Sequence, residues 1–338
     1  MDPITALRRI GFLLERQQAP TYRVRAFRSA ALILAGLAPA ELRRRTEDGT
    51  LTDLKGIGPK TSTVIRQALA GDVPEYLAAL EDGLAPLVDG GADLRGALRG
   101  DLHAHSEWSD GGSPVEEMAV TALELGHEYL AMTDHSPRLT VANGLSPERL
   151  ERQLDLVETI NGRLAGQGFR LLSGIECDIN EDGTLDQSDE LLGRVDIVVA
   201  SVHSKLRSDA GAMTRRMLRA IENPHTDVLG HCTGRLVTGG RGTRPESQFD
   251  AERVFAACVE YDVAVEINSR PERLDPPRRL LRQAVAAGCR FSIDTDAHAP
   301  GQLDWQAYGC ARAQECEVPE ERVVNTWPVD DLLAWTRA

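Results

Sequence analysis

Six of the eight histidines in this chain fall where an apolar run ends: His103, His105, His135, His203, His231 and His298. Asp110, Glu176 and Asp296 stand at similar positions. Neutral imidazole together with carboxylate suits Zn²⁺, Mn²⁺ or Fe²⁺ better than Mg²⁺ or Ca²⁺, which prefer oxygen alone. At about three or four protein ligands per ion, with a bridging carboxylate, nine such residues fit two or three ions. Such a cluster binds the anionic oxygens of a phosphate ester, lowers the pKa of a bridging water and stabilises the leaving oxygen. A lone His-x-His is a weak sign, because alternate residues of any strand share one face. The conjunction carries the reading, since histidine placed at random would not collect at strand ends. His127 and His225 precede strands, away from this rim, and read as ordinary surface residues.

Side chains so far apart in sequence need a frame that brings strand ends together. Short apolar runs near 98–103, 128–133, 169–176, 195–202, 226–230, 262–267 and 290–295 read as strands. Helical periodicity falls near 114–126, 147–165, 211–222, 250–260, 277–287 and 319–336. Seven βα-type repeats without a hairpin signal imply a parallel sheet in an α/β fold. A doubly wound open sheet is the alternative to a closed barrel. The ligand pattern favours the barrel, because groups at the C-terminal ends of six strands converge only on a ring.

The first 80 residues read differently. Ile4, Leu7, Ile10, Leu13 and Leu14 recur at helical spacing, and a second helix covers Phe27 to Leu37, with Pro39 marking its end. Leu54-Lys55-Gly56-Ile57-Gly58-Pro59-Lys60 leads into a helical run and looks like a helix-hairpin-helix turn. Two glycines let a phosphate approach the backbone, and the helix N-terminus that follows offers N–H groups and its positive dipole end. Lys55, Gly56, Gly58 and Lys60 are therefore the candidate DNA-backbone contacts; such contacts do not read base sequence. The glycines and proline of residues 84–97 read as a linker. The expected domains are 1–83 (helical), 84–97 (linker) and 98–338 (barrel).

Net charge is −14, unevenly spread. Residues 1–72 hold 12 Lys+Arg against 7 Asp+Glu, a balance of +5, which leaves −19 for the remainder. An acidic protein does not grip nucleic acid by bulk charge, so the basic N-terminal part is the expected first contact. Aromatic content of 4% makes extensive base stacking unexpected. Six scattered cysteines without a C-x-x-C pair suggest free thiols. Met1 to Ala19 carries three arginines and does not resemble a signal segment, and no apolar run is long enough to span a bilayer. The expectation is a cytoplasmic protein with no membrane partner; oligomeric state is not legible.

His103-x-His105, Thr133-Asp-His135, Gly174-Ile-Glu176, Ser201-Val-His203, Gly230-His231 and Thr295-Asp-Ala-His298 together resemble the PHP (polymerase and histidinol phosphatase) domain over about residues 97–338. The resemblance implies a distorted (β/α)7 barrel with a trinuclear centre. It implies that His103, His105, Glu176 and Asp296 hold one ion. Glu176 bridges to a second, held also by His203 and His231, and Asp110, His135 and His298 hold a third. A hydroxide bridging these ions is the implied nucleophile. The candidate catalytic set is His103, His105, Glu176, Asp296 and Arg235. Arg270, Arg273 and Lys205 are further candidates for phosphate oxygens.

Asp101 to Asp110 and Asp296 to Leu303 resemble the PHP subgroup of bacterial family X DNA polymerases. Ile4 to Leu80, including Tyr22-Arg-Val-Arg-Ala-Phe-Arg28, resembles the small N-terminal domain of the same enzymes. Those polymerases carry a fingers-palm-thumb region between the two parts, whereas here only a short linker stands there. Their lyase lysine falls at Val64, and a Schiff base needs a primary amine, so no lyase activity is expected from that position. The expected function is a metal-dependent phosphoesterase acting on DNA, a 3′→5′ exonuclease or end-processing enzyme in repair. The rivals are a small-molecule phosphomonoesterase, such as one acting on histidinol phosphate, and a non-catalytic DNA-end-binding protein.

Overall fold

The computed structural model describes residues 1–240 and 242–337. Its chain divides into two units, Met1–Pro86 and Leu87–Ala338.

The first unit is helical: α1 (Pro3–Arg16), α2 (Thr21–Ala35), α3 (Pro39–Glu47), α4 (Pro59–Leu69) and α5 (Glu75–Asp82). Asp2 starts α1 by accepting the Thr5 N–H at 2.8 Å, and Pro3 supplies a preset φ where no N–H is needed. Ala6, Leu7, Ile10, Leu13 and Leu14 form one buried stripe of α1. They share a core with Phe27, Ala30, Ala31 and Leu34 of α2 and Val64, Ile65 and Ala68 of α4. Pro39 does not simply end a helix; it opens α3 at the first helical position, where its missing N–H costs nothing. Gly11 lets Arg28 lie against α1, where its guanidinium forks onto Glu15 at 2.6 and 2.9 Å.

The second unit begins with α6 (Ala92–Ala97), inside the stretch expected to be a linker. Gly91 explains the difference: at φ 73° it turns the chain so closely onto the later helix 306–315 that a Cβ would overlap its backbone, and Leu94 is buried. Strands and helices then alternate: β1 (Gly100–Ala104), α7 (Val115–Glu124), β2 (Tyr129–Met132), α8 (Pro147–Leu164), β3 (Arg170–Asp178), α9 (Asp189–Leu192), β4 (Ile197–Ser201), α10 (Ala210–Ile221), β5 (Val228–Leu229), α11 (Ala251–Glu260), β6 (Ala264–Asn268), α12 (Arg278–Ala287), β7 (Phe291–Asp294), α13 (Gln306–Glu315) and α14 (Val329–Trp335). The helix expected over 319–336 is two short 3₁₀ turns followed by α14, because Pro328 cannot continue a helix and instead begins one. No described helix is long and apolar enough to cross a membrane.

All seven expected strands form, parallel, in the order β1 to β7. Each strand is buried almost throughout, as a parallel sheet covered on both faces requires. Near the strand N-termini, Leu102, Tyr129, Leu172, Ile197, Val228 and Ala264 cluster with Val324, Leu332 and Leu333, so the C-terminal segment fills that end of the barrel. The ring is nearly closed, and side chains complete the seam between β1 and β7. Asp294 Oδ1 accepts the Leu102 N–H at 2.8 Å, and Asp101 Oδ1 accepts the Thr295 N–H at 3.2 Å. Asn325 and Gln306 donate to the carbonyls of Gly100 and Ile293. Burial raises the pKa of both seam carboxyls, Asp101 further through Asp294 and Asp294 further through Glu266.

Candidate metal centre

The other end of the barrel collects the histidines. His103 lies in β1 and His105 just beyond it; Glu176 lies in β3. His135 follows β2, His203 follows β4, His231 follows β5, and Asp296 and His298 follow β7. Asp110 comes from the loop after β1. Strand C-termini therefore deliver the ligands, as the fold's geometry requires of a site on that face.

Glu176 is the centre. Its Oε1 lies 2.8 Å from His231 Nε2 and 3.1 Å from His203 Nε2. Its Oε2 lies 2.8 Å from His135 Nδ1, 3.4 Å from His103 Nε2 and 3.5 Å from His105 Nε2. Asp296 Oδ1 is 3.5 Å from His105 Nε2. Asp110 Oδ1 is 3.4 Å from His135 Nε2 and 3.2 Å from His298 Nε2. Ligand atoms gather into three groups, each within 4.8 Å: His105, Asp110, His135 and His298; His103, His105 and Glu176; His135, Glu176 and His203. These groups take in seven of the nine expected ligands, with His105, His135 and Glu176 each shared between two; His231 and Asp296 adjoin them, at 2.8 Å from Glu176 Oε1 and 3.5 Å from His105 Nε2.

These residues fit divalent cations. His103 Nε2, both nitrogens of His105 and His203, His135 Nδ1, His231 Nδ1 and Glu176 Oε2 are buried without a partner in hydrogen-bonding geometry among the described residues. Buried polar atoms are ordinarily satisfied, so this many orphans on residues gathered at one end of the barrel mark a place for ions. Burial works to raise the Glu176 pKa, but the charges of His203, His103 and His135 outweigh it and hold it well below the usual range. Burial pushes the His105 pKa well down, helped by His298 and His135, whereas the facing carboxylates outweigh burial and raise His103, His135 and His203, so an ion entering there would displace protons.

Sequence reasoning missed the residues behind the ligands. Glu266, fully buried in β6, has its Oε1 2.6 Å from His103 Nδ1. Its signal was a carboxylate flanked by apolar residues within a strand, Val265-Glu266-Ile267. Asp134 accepts the N–H and hydroxyl groups of Ser106 and Ser109 and the amide of Gln153. Asp178 accepts the His203 N–H at 3.1 Å. Arg235, expected to face phosphate, is committed elsewhere. Its Nε donates to the Arg273 carbonyl at 3.1 Å, its Nη2 to the Leu274 carbonyl, and Nη1 lies 3.5 Å from Glu246. Those carbonyls were invisible in the sequence; the guanidinium braces the loop after β6. Arg273, on that loop, donates from Nε to Asp296 Oδ2 at 2.8 Å and leaves a buried Nη1 without a partner among the described residues. Arg270 donates to the Asp296 carbonyl at 2.6 Å. Lys205 is exposed, with φ at 54°. His127, expected at the surface, is buried at 2% exposure, whereas His225 is partly exposed.

In the helical unit, Lys55, Gly56, Gly58 and Lys60 are all exposed. Gly56 has φ at 99°, which a side chain would strain. A Cβ on Gly58 would meet nothing within 4 Å, so the space beside it is open. The Gly58 N–H bonds Thr61 Oγ1 at 3.0 Å, fixing the start of α4. Lys60 Nζ sits 4.4 Å from the centre of the Tyr76 ring. Val64 is buried at 1% exposure.

Residues 101–270 match the PHP domain. The chain belongs to the PHP family. It is a metal-dependent phosphoesterase by that membership, although the family match ends before Asp296 and His298. Residues 1–73 match a helix-hairpin-helix domain. Among curated proteins, the DNA polymerase/3′-5′ exonuclease PolX of Bacillus subtilis is 37% identical over 242 residues. That match takes in 72% of this chain but only 41% of the relative's length. A probable phosphatase of Caldanaerobacter subterraneus is 26% identical over 247 residues, covering 67% of this chain and 86% of the relative. Among solved structures, histidinol phosphate phosphatase of Lactococcus lactis superposes with a TM-score of 0.48 at 18% identity, over 64% of this chain and 93% of that one.

Proposed function

We propose that this PHP protein hydrolyses DNA phosphodiesters or terminal phosphates, as a 3′→5′ exonuclease or end-processing enzyme, with three divalent ions drawn from Mn²⁺, Zn²⁺ and Fe²⁺. One observation carries the reading: a single chain joins a helix-hairpin-helix unit, with an open face at Gly58, to a barrel end where the expected ligands converge. The PolX relative, named a 3′-5′ exonuclease, supports it.

His103, His105, Glu176 and Asp296 would hold one ion, Glu176 with His203 and His231 a second, and Asp110, His135 and His298 a third. Bound there, such ions supply Lewis acidity toward phosphoryl oxygens and acidify water. The chain's own part is position. Glu176 faces His203 and His231 through one oxygen and His103, His105 and His135 through the other, which suits a bridging role. Arg273 anchors Asp296 through Nε and keeps Nη1 for a phosphate oxygen. Asp110 is the most exposed carboxylate of the set, at 35%, and marks the side from which substrate enters. Lys55 and Lys60, with the N-terminus of α4, would hold the DNA backbone.

The test is degradation of duplexes labelled at the 3′ or the 5′ end, with Mn²⁺, beside a generic phosphomonoester and a His105→Ala control. Stepwise shortening from the 3′ end, abolished in the variant, is expected. The acidity of residues 73–338 and the relatives named probable phosphatases favour a second reading, a small phosphomonoester as substrate. Monoester turnover with intact DNA would select it.

A further inference from the structure

A histidine that binds a cation through Nε2 must carry its proton on Nδ1, and something must keep the proton there. At His103 that something is Glu266. Its Oε1 lies 2.6 Å from His103 Nδ1, and both side chains are fully buried. Its Oε2 accepts the backbone N–H of His231 and the Asn268 amide, the latter at 3.3 Å. Asn268 also donates to Asp296 Oδ2 at 3.2 Å. Glu266 is therefore joined by hydrogen bonds to three of the nine ligands, through a ring, a backbone and an intervening amide, yet belongs to none of the ligand groups.

We propose that Glu266 is a positioning residue that fixes the tautomer of His103, presenting a bare Nε2 to the cation, and that it does so because it can only accept hydrogen bonds. The inference rests on the metal-dependent reading above. Its force lies in what the isosteric amide would do. The His231 N–H cannot turn away, so Gln at 266 must place its oxygen there. The amide NH₂ then faces His103 Nδ1 and donates to it. The ring proton moves to Nε2, the atom 3.4 Å from Glu176 Oε2, and a protonated Nε2 has no lone pair for a cation. Gln at 266 keeps shape and hydrogen bonds but selects the wrong tautomer; Asp loses a methylene but remains an acceptor.

The experiment compares full-length wild type, Glu266→Gln and Glu266→Asp. In metal-free protein, imidazole ¹⁵N–¹H correlation spectra across a pH series reaching the neutral ring, with His103 assigned through a His103→Gln control, give its tautomer. Zn²⁺ affinity comes from chelator competition. Wild type and Glu266→Asp are expected to carry the proton on Nδ1, and Glu266→Gln on Nε2. Zn²⁺ should bind Glu266→Gln about 10- to 100-fold more weakly than wild type, with Glu266→Asp between them. A merely packing role predicts the reverse order for the two variants, and that order overturns the proposal. A metal-free wild type in which His103 carries its proton on Nε2 with Nδ1 bare overturns it too, even if Glu266→Gln does not fold. A wild type that binds no Zn²⁺ or Mn²⁺ removes the metal reading itself, while the tautomer comparison still decides what Glu266 does.

Discussion

His127 has taken the opposite course from the six histidines of the rim. It is buried, neither ring nitrogen has a hydrogen-bond partner among the described residues, and no carboxylate compensates it. Burial, helped by the charge of Arg95, pushes its pKa down to about 3. The folded state therefore keeps the ring neutral. Above pH 6.5 folded and unfolded chains bind the same number of protons there, and the residue costs nothing with pH. Below pH 6.5 the unfolded chain takes up a proton that the folded chain refuses, so stability falls by about 1.4 kcal/mol per pH unit until about pH 3. His127→Leu should remove that slope. Chemical denaturation of both proteins between pH 7 and 5, with chelator present so that the rim histidines contribute equally, should show a gap that closes from wild type's side as pH rises. Parallel curves would mean that His127 opens to water before the chain unfolds.

At the scale of elements, the strands and the residues that follow their C-termini bring eight of the nine expected ligands, two of them (His103 and Glu176) from within strands, and the loop after β1 brings the ninth. The loop after β1 carries Asp110, and Asp134 is its post: one buried carboxylate takes donors from Ser106, Ser109 and Gln153. Burial raises the Asp134 pKa, against the pull of those donors. Asp134→Ala would strand the N–H groups of Ser106 and Ser109, each at about 1–3 kcal/mol. We expect urea unfolding to show a loss of several kcal/mol, and plasma mass spectrometry to show one ion fewer per chain, because Asp110 no longer meets His135 and His298. Full metal content would show that the loop holds without its post. The strands were legible because each is an apolar run closed by a ligand, and a barrel is what lets such ends meet. What was not legible depended on distant partners. α6 forms because Gly91 lets the chain close on α13. Arg235 is held against the loop after β6 because two carbonyls 38 and 39 residues later claim it. Glu266 reads as an odd polar residue in a strand until His103 is seen beside it. His127 reads as exposed until the neighbours that bury it are in place.

The whole molecule couples two opposite fields. Residues 1–72 carry +5 and the rest −19, so the acidic part repels a phosphate backbone beyond its own metal ligands. DNA affinity should then come from the few cations of the helical unit, with Lys55 and Lys60 beside the turn at Gly56 and Gly58 foremost. Each phosphate contact releases counterions and adds about 0.9 to the slope of log affinity against log salt. Replacing both lysines by alanine should make that slope shallower by about 2, measured by anisotropy of a labelled duplex across a salt series. The two side chains are exposed, so their loss should leave the fold as it is. At physiological salt the ratio of DNA to monoester turnover should fall with affinity, since a small ester does not depend on the helical unit. An unchanged slope would mean that DNA is held by other cations, with exposed arginines such as Arg25, Arg43 and Arg66 to test next. An unchanged slope together with an unchanged turnover ratio would mean that the barrel takes its substrate without the helical unit, and would favour the monoester.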